Sequence, residues 1–212
     1  MWFRLSWVRS PSFTPALGYP LLMLKPGFAI VISGPSGVGK GTIIKTLLKK
    51  DVNIHLSRSA TTRAPRPNEV HAQDYYFLSE DEFDQHIQND EFLEWCHVHQ
   101  DKYGTLRSEV LNQTQNGEHI ILEIDVQGFE KVKSQLNRLI SIFIVPPNFE
   151  TLFKRLHTRN TEDDSVIKSR LHVAGKELAA IGKYDYIVIN EAVDQAVSDI
   201  KGIIDSLDFI IE

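Results

Sequence analysis

The stretch FAIVISGPSGVGKGTIIKTLLKK, residues 28–50, decides the fold of this chain of 212 residues. Its first part, residues 28–33, is apolar and rich in β-branched residues, a pattern typical of a strand buried on both faces. A glycine-rich turn follows, and then a helix with one apolar face. The apolar residues of that helix are Ile43, Ile44, Leu47 and Leu48. The order strand, glycine-rich turn, lysine and helix predicts a Walker A phosphate-binding loop.

The glycine-rich turn is predicted to bind the phosphates of a nucleoside triphosphate. Glycines allow consecutive backbone N–H groups to point inward, and the N-terminus of the following helix adds its partial positive charge. Lys40 supplies a mobile charge for the β- and γ-phosphates. The plain alternative, a turn that binds nothing, is disfavoured because the glycines, the lysine and both flanking elements are all present. The predicted binding residues are Gly34, Pro35, Ser36, Gly37, Val38, Gly39, Lys40, Gly41 and Thr42.

One position departs from the Walker A pattern. Gly41 stands where the motif has serine or threonine, and Thr42 follows it. The hydroxyl that normally contacts Mg²⁺ is therefore missing or displaced by one residue. The same GKGT ending occurs among nucleoside monophosphate kinases, so the sequence favours a kinase over a GTPase. No Asn-Lys-x-Asp guanine motif follows the loop in the sequence, which also disfavours a regulatory GTPase.

Length and composition point to an ordinary globular protein with one core. A chain of this length buries roughly 70% of its unfolded surface. The net charge of −5 gives no support to a nucleic-acid or membrane-surface role. The single cysteine, Cys96, cannot form an internal disulfide, and no apolar run is long enough to span a membrane. We expect a cytoplasmic protein that binds neither nucleic acid nor membrane, and the sequence leaves its oligomeric state open.

Residues 1–26 differ in character from the rest of the chain. They carry Arg4, Arg9 and Lys25, four prolines and no acidic residue. They lack the uninterrupted apolar centre and the cleavage site of a signal peptide, and they lack the amphipathic repeat of a transit peptide. We expect a disordered N-terminal extension, of which residues 1–22 contribute nothing to the core.

Strands and helices alternate through the remaining chain. This order predicts an α/β fold of three layers, with helices on both faces of a mostly parallel sheet. Residues 54–77 are expected to be extended chain and turns, and residues 103–105 a turn. The further predicted strands are Phe92–Val98, 120–125, Leu139–Val145 and Tyr186–Ile189. Helices are predicted to begin at a capping box at Ser79, near Ser108, after Asn148 as N-cap, near Ser165 and near Val193.

Several ordered motifs resemble the signature of guanylate kinases. The first is SATTRAPRPNE, residues 59–69, with Asp74 and Tyr75 downstream. The resemblance covers essentially all of residues 27–210. It continues through Glu94, YGT at 103–105, EIDVQG at 123–128, Arg155, Arg159, Arg170 and Asn190.

The resemblance implies a P-loop fold that transfers a phosphoryl group from ATP to GMP or dGMP, with Mg²⁺ accompanying ATP. It also implies three parts: a P-loop core, a GMP-binding insert and a mobile lid. The core is expected at residues 27–57, 107–147 and 171–212, the insert at 58–106 and the lid at 148–170.

Two arginines are the predicted ligands of the acceptor phosphate. Arg63 and Arg66 flank a proline in an extended segment and present two planar forks suited to one phosphate. Without their setting they would more often be a solvated pair. The resemblance adds five further residues to the same GMP site: Ser59, Tyr75, Tyr103, Gly104 and Thr105.

A carboxylate is the expected reader of guanine. Guanine offers two adjacent donors, N1–H and the N2 amino group, and by resemblance Glu94 accepts both, with Asp125 nearby and Thr105 donating to O6. Adenine lacks both donors, so AMP would leave the charge of Glu94 unpaired. The alternative is that Glu94 is merely the exposed residue of an amphipathic strand.

Four cations are the expected catalytic residues. ATP and an acceptor phosphate repel each other, so in-line transfer needs positive charge where negative charge develops. Arg155 and Arg159 are four residues apart and share one helix face. Surface arginines in weak ion pairs are the ordinary alternative, over which the resemblance favours catalysis. By that resemblance the catalytic residues are Lys40, Arg155, Arg159 and Arg170, and Asn190 binds ATP.

Two carboxylates are expected at the end of a predicted strand. Glu123 and Asp125 lie two residues apart, so they would point to the same side near the edge where ligands gather in α/β sheets. Either could hold Mg²⁺ through water. Strand-end carboxylates are often structural, so no metal ligand is assigned. His97 and His99 lack a third ligand at a suitable spacing and receive no function.

Two other functions compete with a guanylate kinase. The first is a binding module of the kind found in scaffold proteins, where a guanylate-kinase-like domain has lost catalysis and binds phosphopeptides. Such modules typically lack the loop lysine and glycines, whereas Gly37, Gly39 and Lys40 are present here. The second is a kinase for another monophosphate, such as AMP or a sugar phosphate.

Overall fold

The computed structural model describes residues 25–98, 100–158, 164–207 and 209, and it describes no side chains for residues 158 and 164–169. Three predictions therefore fall wholly or mainly outside the described residues. They are the N-terminal extension, the role of Arg159 and the reading of His99.

Five parallel strands form the main sheet, in the order β2-β7-β1-β8-β9. The first strand, β1, pairs on one side with β7 and on the other with β8. These pairings confirm the predicted mostly parallel sheet. The five strands are β1 (Ala29–Ser33), β2 (Ile54–Leu56), β7 (His119–Glu123), β8 (Leu139–Val145) and β9 (Tyr186–Ile189).

Both faces of the main sheet are covered by helices, which explains the continuous apolar sequence of β1. Ile30 and Ile32 point to one face, and Ala29 and Val31 point to the other. Each fully buried side chain of this size stabilises the fold by about 1.5–3 kcal/mol. Not every helix in the described residues covers this sheet; in chain order the helices are α1 (Lys40–Lys50), α2 (Glu80–Gln88), α3 (Arg107–Gln115), α4 (Val126–Lys133), α5 (Phe149–Thr158), α6 (Asp164–Ala179) and α7 (Val193–Leu207).

The two faces of the sheet bury different helices. Ile43, Ile44 and Leu47 of α1 pack with the apolar stripe of α7 on the Ile30 side. Phe129 and Val132 of α4 pack on the Val31 side, together with Val110 of α3. Among the described residues, no helix combines the length and the apolar character that crossing a bilayer requires.

A second, smaller sheet is built entirely from residues 59–106. Its order is β4-β3-β6-β5, and β3 pairs antiparallel with β6, which pairs antiparallel with β5. Helix α2 packs against it through Phe83, whose ring stacks on Phe92 at 4.4 Å between centroids. Its strands are β3 (Ser59–Thr61), β4 (Tyr76–Phe77), β5 (Phe92–Val98) and β6 (Asp101–Leu106). The proposed division into core, insert and lid stays a prediction.

A β-bulge interrupts β5 just before Glu94. Phe92 is opposite Leu106 and Glu94 is opposite Thr105, so Leu93 is an extra residue on its strand. A bulge leaves one residue out of the ladder and changes the direction of the side chains that follow it.

The helix caps are largely as predicted. Ser79 and Glu82 form a complete capping box at α2, and Asn148 Oδ1 accepts the backbone N–H of Thr151 at 2.8 Å at the start of α5. Helix α3 begins at Arg107, one residue before the predicted start, and α6 ends at Ala179 before a 3-10 turn, Ile181–Lys183.

Two local predictions are wrong. Residues 103–105 are not a turn but lie inside β6, where Gly104 lets the backbone pass close to the ring of Phe92. Asp125 is not on a strand beside Glu123, because β7 ends at Glu123 and Asp125 is the N-cap of α4. Helix α4, Val126–Lys133, was not predicted from the sequence.

Candidate active site

The glycine-rich loop leads directly into the N-terminus of α1. Helix α1 begins at Lys40, directly after Gly39, whose φ of 101° lies in the left-handed region that favours glycine. No side chain caps this helix. Its first amides therefore remain available to an anion, as the dipole of a helix N-terminus also favours. Lys40 Nζ donates to the carbonyl of Gly34 at 2.5 Å, so its charge lies over the loop.

Three distant segments meet at one carbonyl of the loop. The oxygen of Val38 accepts from Asn190 Nδ2 at 2.6 Å and from Arg155 Nη1 at 3.2 Å. Arg155 Nη2 also donates to the carbonyl of Asn190 at 3.1 Å. Asn190 is buried just after β9, and a Cβ at Gly39 would lie 2.6 Å from its Nδ2. Helix α5 and the end of β9 therefore hold the loop in place.

A cleft of about 430 Å³ lies on the α5 side of the loop. It brings together five of the predicted donor-nucleotide residues or catalytic residues with three that the sequence did not single out. The former are Gly37, Gly39, Thr42, Arg155 and Asn190, and the latter are Thr151, Lys154 and Val193.

A second cleft, of about 450 Å³, lies on the other side of the same loop. Gly34 and Lys40 form its loop wall, strand β3 contributes Ser59, and the segment between β3 and β4 contributes Glu69 and Tyr75. Asp74 lies in the segment between β3 and β4, and the remaining lining residues come from the carboxyl ends of β2 and β7 and from α6: Leu56, Ser57, Glu123, Ile124, Asp125 and Glu177. The phosphate loop thus separates two sites.

Arg63 is held in a polar network at the second cleft. Its Nη2 donates to both carboxylate oxygens of Glu69, at 2.9 and 3.0 Å, and its Nε donates to the hydroxyl of Tyr103 at 3.2 Å. Its guanidinium lies 5.6 Å from the ring centroid of Tyr75. The hydrogen bonds that Arg63 donates to Glu69 raise the pKa of Arg63, and burial raises the pKa of Tyr75. A planar guanidinium held in one orientation can form paired hydrogen bonds with a phosphate or a carboxylate.

Glu94 is a buried carboxylate, only 8% exposed, so the reading as an exposed strand residue is wrong. Its Oε1 accepts the hydroxyl proton of Thr105 at 2.7 Å. Burial raises the pKa of Glu94, the hydrogen bond from Thr105 opposes that rise, and the charge of Asp125 adds to it. Asp125 in turn uses Oδ1 to accept the backbone N–H of Gly128 at 2.8 Å. A buried acceptor needs partners, and Thr105 supplies one of them.

Three other predicted site residues, Gly104, Arg66 and Arg170, do not line either cleft. Gly104 lies in β6, and Arg66 is exposed, with its backbone N–H donating to Glu69 at 2.7 Å. Arg170 lies half-buried in α6.

Sequence reasoning missed Glu69 and Glu177 as site residues. Glu69 closes the predicted motif at residues 59–69, and its role as the partner of Arg63 could have been inferred from that spacing. Glu177 carries no such signal, because a glutamate on a helix is usually solvated. Its Oε2 is buried with no hydrogen-bond partner. Burial raises the pKa of Glu177, while Lys40 and the backbone N–H of Ser36 lower it.

The donor set fits Mg²⁺ only together with a nucleotide. Within the described parts of the chain, no group of three or more His, Cys, Asp or Glu residues is arranged to hold a metal ion. The second cleft nevertheless contains Glu123 and Asp125, and Glu177 offers an unpaired oxygen there. Oxygen ligands and retained waters are what Mg²⁺ prefers, with phosphate oxygens completing its shell. The residues present are compatible with an ion that arrives with ATP.

A parallel sheet whose first strand runs into a phosphate loop, with a cleft on each side of that loop, defines a P-loop nucleotide-binding protein. More specifically, the chain belongs to the guanylate kinase family, because the family model described as guanylate kinase matches residues 27–207.

Individual relatives agree with this assignment. A guanylate kinase of Caldanaerobacter subterraneus subsp. tengcongensis is 48% identical over 85% of this chain and 87% of its own length. One of Fusobacterium nucleatum is 45% identical over 85% of this chain and 97% of its own length. The crystal structure of guanylate kinase from Anaplasma phagocytophilum superposes with a TM-score of 0.68 and 32% identity, covering 86% of each chain.

Proposed function

We propose that this chain phosphorylates GMP, and dGMP, at the expense of ATP. The observation that carries the proposal is the pair of clefts on opposite sides of one phosphate loop. One cleft would take the donor and the other the acceptor, so that the two phosphates meet at Lys40. Membership of the guanylate kinase family supports this reaction.

The acceptor is held, in this proposal, at its phosphate and at its base. Arg63 lies where a phosphate could replace or share the carboxylate of Glu69, beside the hydroxyls of Ser59, Tyr75 and Tyr103. A dianionic phosphate and an arginine form strong paired hydrogen bonds. Arg66, exposed nearby, adds a second fork, and Gly104 keeps the backbone of β6 close to the site.

Glu94 reads the base. Its carboxylate, with Asp125 beside it, accepts the N1–H of guanine at one oxygen and the N2 amino group at the other. The hydroxyl of Thr105, now donated to Glu94, holds that carboxylate and can turn toward O6 of the base. AMP would leave a buried carboxylate unpaired, which is the costly outcome for a wrong substrate.

Transfer follows from alignment and charge. An oxygen of the GMP phosphate attacks the γ-phosphorus of ATP in line, and the bond to the bridging oxygen of ADP breaks, which gives GDP and ADP. Lys40 leaves the Gly34 carbonyl to follow the transferring group. Arg155, Arg159 and Arg170 supply further positive charge, and Asn190 shapes the donor cleft. Glu123 and Asp125 would hold the water ligands of a Mg²⁺ ion bound with ATP, and the ion would neutralise phosphate charge.

A coupled ADP-release assay with ATP and a panel of GMP, dGMP, AMP, CMP and UMP tests the proposal. We expect turnover with GMP and dGMP only. Equal turnover of AMP would rule out guanine selection, and no turnover with any acceptor would favour a binding module instead. The expected cytoplasmic location and the absence of nucleic-acid partners stay predictions.

Glu94→Gln tests the base reader. Glutamine accepts only one guanine donor and presents its own N–H₂ to the other. We expect kcat/KM for GMP to fall about a hundredfold, since two hydrogen bonds to a charged group are weakened. The KM for ATP should barely change. If Glu94→Gln used GMP as well as the parent, the reader would have to be another group, with Asp125 the first candidate.

A further inference from the structure

The backbone around Glu94 is held from outside its own sheet. Leu93 is the extra residue of the β-bulge, so the ladder with β6 does not fix the chain at this point. Its carbonyl accepts from Gln135 Nε2 at 2.7 Å. Gln135 lies just after the C-terminal end of α4, a helix of the main sheet.

A second donor holds the other side of Glu94. Lys131 Nζ, in the last turn of α4, donates to the carbonyl of Trp95 at 2.5 Å. Its ammonium also lies 5.8 Å from the centroid of the Trp95 indole ring. The carbonyls before and after Glu94 are therefore both bonded to side chains from one end of α4. We call Lys131 and Gln135 the α4 clamp.

Further hydrogen bonds hold the side chain of Gln135 in place. Gln135 Nε2 also donates to the carbonyl of Lys131 at 2.9 Å, and Gln135 Oε1 accepts from Arg107 Nη2 at 2.8 Å. Arg107 is the first residue of α3, where the chain returns from the small sheet. Both clamp side chains belong to exposed residues, so they bury little apolar surface.

The other end of α4 lies against the same carboxylate. Asp125 caps the helix, and a Cβ built on Gly128 would lie 3.3 Å from Glu94 Oε2 and 3.5 Å from Asp125 Oδ1. One short helix thus touches both the side chain of Glu94 and its backbone. Because the helix is packed on the main sheet through Phe129 and Val132, it fixes Glu94 relative to the phosphate loop.

We propose that Lys131 and Gln135 are positioning residues for guanine specificity. By holding the carbonyls of Leu93 and Trp95, they keep the Glu94 carboxylate in the orientation that accepts both guanine donors. The inference rests on the proposed role of Glu94. Loss of either donor lets the bulged backbone shift, and misplacement of a recognising group by about 1 Å can reduce a rate about a hundredfold.

Two variants remove the donors one at a time, and a third is their control. Gln135→Glu is isosteric, keeps an acceptor for Arg107 and removes the N–H donated to Leu93. Lys131→Met removes the ammonium but keeps the apolar stem. Lys133→Met, on the same helix, removes a matched lysine-to-carbonyl bond, of 3.0 Å to Lys183, that does not involve β5.

The measurements are kcat/KM for GMP and for AMP at fixed ATP, and the KM for ATP. We expect Gln135→Glu and Lys131→Met each to lower kcat/KM for GMP about tenfold, chiefly by raising KM. The ratio of kcat/KM for GMP to kcat/KM for AMP should therefore fall. Lys131→Arg, which keeps a donor, should recover most of the loss. Lys133→Met should match the parent in all three quantities.

A double-mutant cycle with Glu94→Gln distinguishes positioning from general stability. In the Glu94→Gln background we expect the clamp variants to cause no further loss with GMP, because they act through that carboxylate. Full additivity would overturn the inference. Parent-like GMP kinetics of both clamp variants, alongside a large loss in Glu94→Gln, would also overturn it while leaving the proposed function intact. Parent-like kinetics of Glu94→Gln would reject the base reader itself.

Discussion

Lys40 is the charged residue of the phosphate loop. Its ammonium is bonded to the carbonyls of Gly34 and Pro35, at 2.5 and 3.4 Å, and it borders the acceptor cleft. A lysine side chain rotates about four single bonds, so its ammonium can exchange these partners for phosphate oxygens without a movement of the backbone. The carbonyl oxygens of the loop therefore balance the charge of Lys40, and the same ammonium can still move to bind phosphate oxygens.

We expect Lys40→Met to abolish nearly all transfer while the fold persists. Removing one preorganised charge contact in such a site costs about 2.7–4 kcal/mol in the transition state, a loss of roughly 10²–10³ in kcat. Steady-state kinetics and circular dichroism measure the two effects. Lys45→Met, an exposed position on the same helix, is the control and should behave as the parent. A folded Lys40→Met protein with near-normal turnover would disprove the mechanism.

Glu94 should make the stability of the nucleotide-free protein depend on pH. Because burial raises its pKa in the folded chain, its contribution to stability is full at low pH and is lost as the pH rises through the folded-state pKa. Glutamine does not titrate. Glu94→Gln should therefore raise the melting temperature at neutral pH, and the gain should shrink as the pH falls toward 4.5, the ordinary pKa of glutamate.

Thermal melts across that pH range check this expectation, with exposed Glu191→Gln as the control. A Glu94→Gln protein that is less stable than the parent at neutral pH would mean that the bond from Thr105 outweighs the penalty of burial. The same substitution is thus expected to stabilise the protein and to damage its activity, a pattern typical of functional sites.

At the scale of elements, two helical glycines are predicted to respond oppositely to alanine. In α7, a Cβ at Gly202 would meet no atom within 4 Å. Gly202→Ala should therefore raise the free energy of unfolding by about 0.5–1 kcal/mol through helix propensity. In α4, a Cβ at Gly128 would lie 3.3 Å from both Glu94 Oε2 and Ile124 Cβ. Gly128→Ala should lose that gain and should weaken GMP use.

Urea denaturation and GMP kinetics on both variants separate the two effects. If Gly128→Ala were stabilised as much as Gly202→Ala and used GMP normally, α4 would not be in close contact with the base reader.

Elements with a strong local pattern were predictable from the sequence. The strand, loop and helix of residues 28–50 agree with β1 and α1, and Phe92–Val98, Leu139–Val145 and Tyr186–Ile189 are strands with the predicted limits. The last two are continuous apolar or β-branched runs and Phe92–Val98 is mostly apolar, so none of them needs a distant partner to be recognised. Helix α4 had a signal too, since Val126, Phe129 and Val132 follow a spacing of three.

The parts that were missed depend on distant contacts. Residues 103–105 look like a turn because of Gly104, yet the glycine is there to let Phe92 approach. The bulge at Leu93 and the donors of the α4 clamp leave no local pattern, because a lysine or glutamine on a helix gives no indication of which carbonyl it will meet. The two-sided arrangement of the clefts likewise follows from topology and not from any motif.

At the scale of the whole molecule, ligand binding should be visible as a shift in melting temperature. At a concentration of 100 times its Kd, a ligand stabilises the folded state by about 2.7 kcal/mol, several degrees for a chain of this size. We expect GMP and ATP each to raise the melting temperature of the parent, and AMP not to bind in the acceptor cleft. Glu94→Gln should lose most of the GMP shift and keep the ATP shift. Loss of both shifts would mean that the two clefts are not separate sites.

The small sheet lies within a single excursion of the chain between β2 and β7. The chain leaves just after Leu56 and returns at Arg107, while β2 and β7 remain hydrogen-bonded neighbours. Doubling the length of such a loop costs only about 0.6 kcal/mol in closure entropy. In evolutionary terms, the part that reads the acceptor can be lengthened, shortened or exchanged while the sheet that carries the phosphate loop stays the same. What each replacement must preserve is small: a strand that brings its recognising side chain to the end of α4.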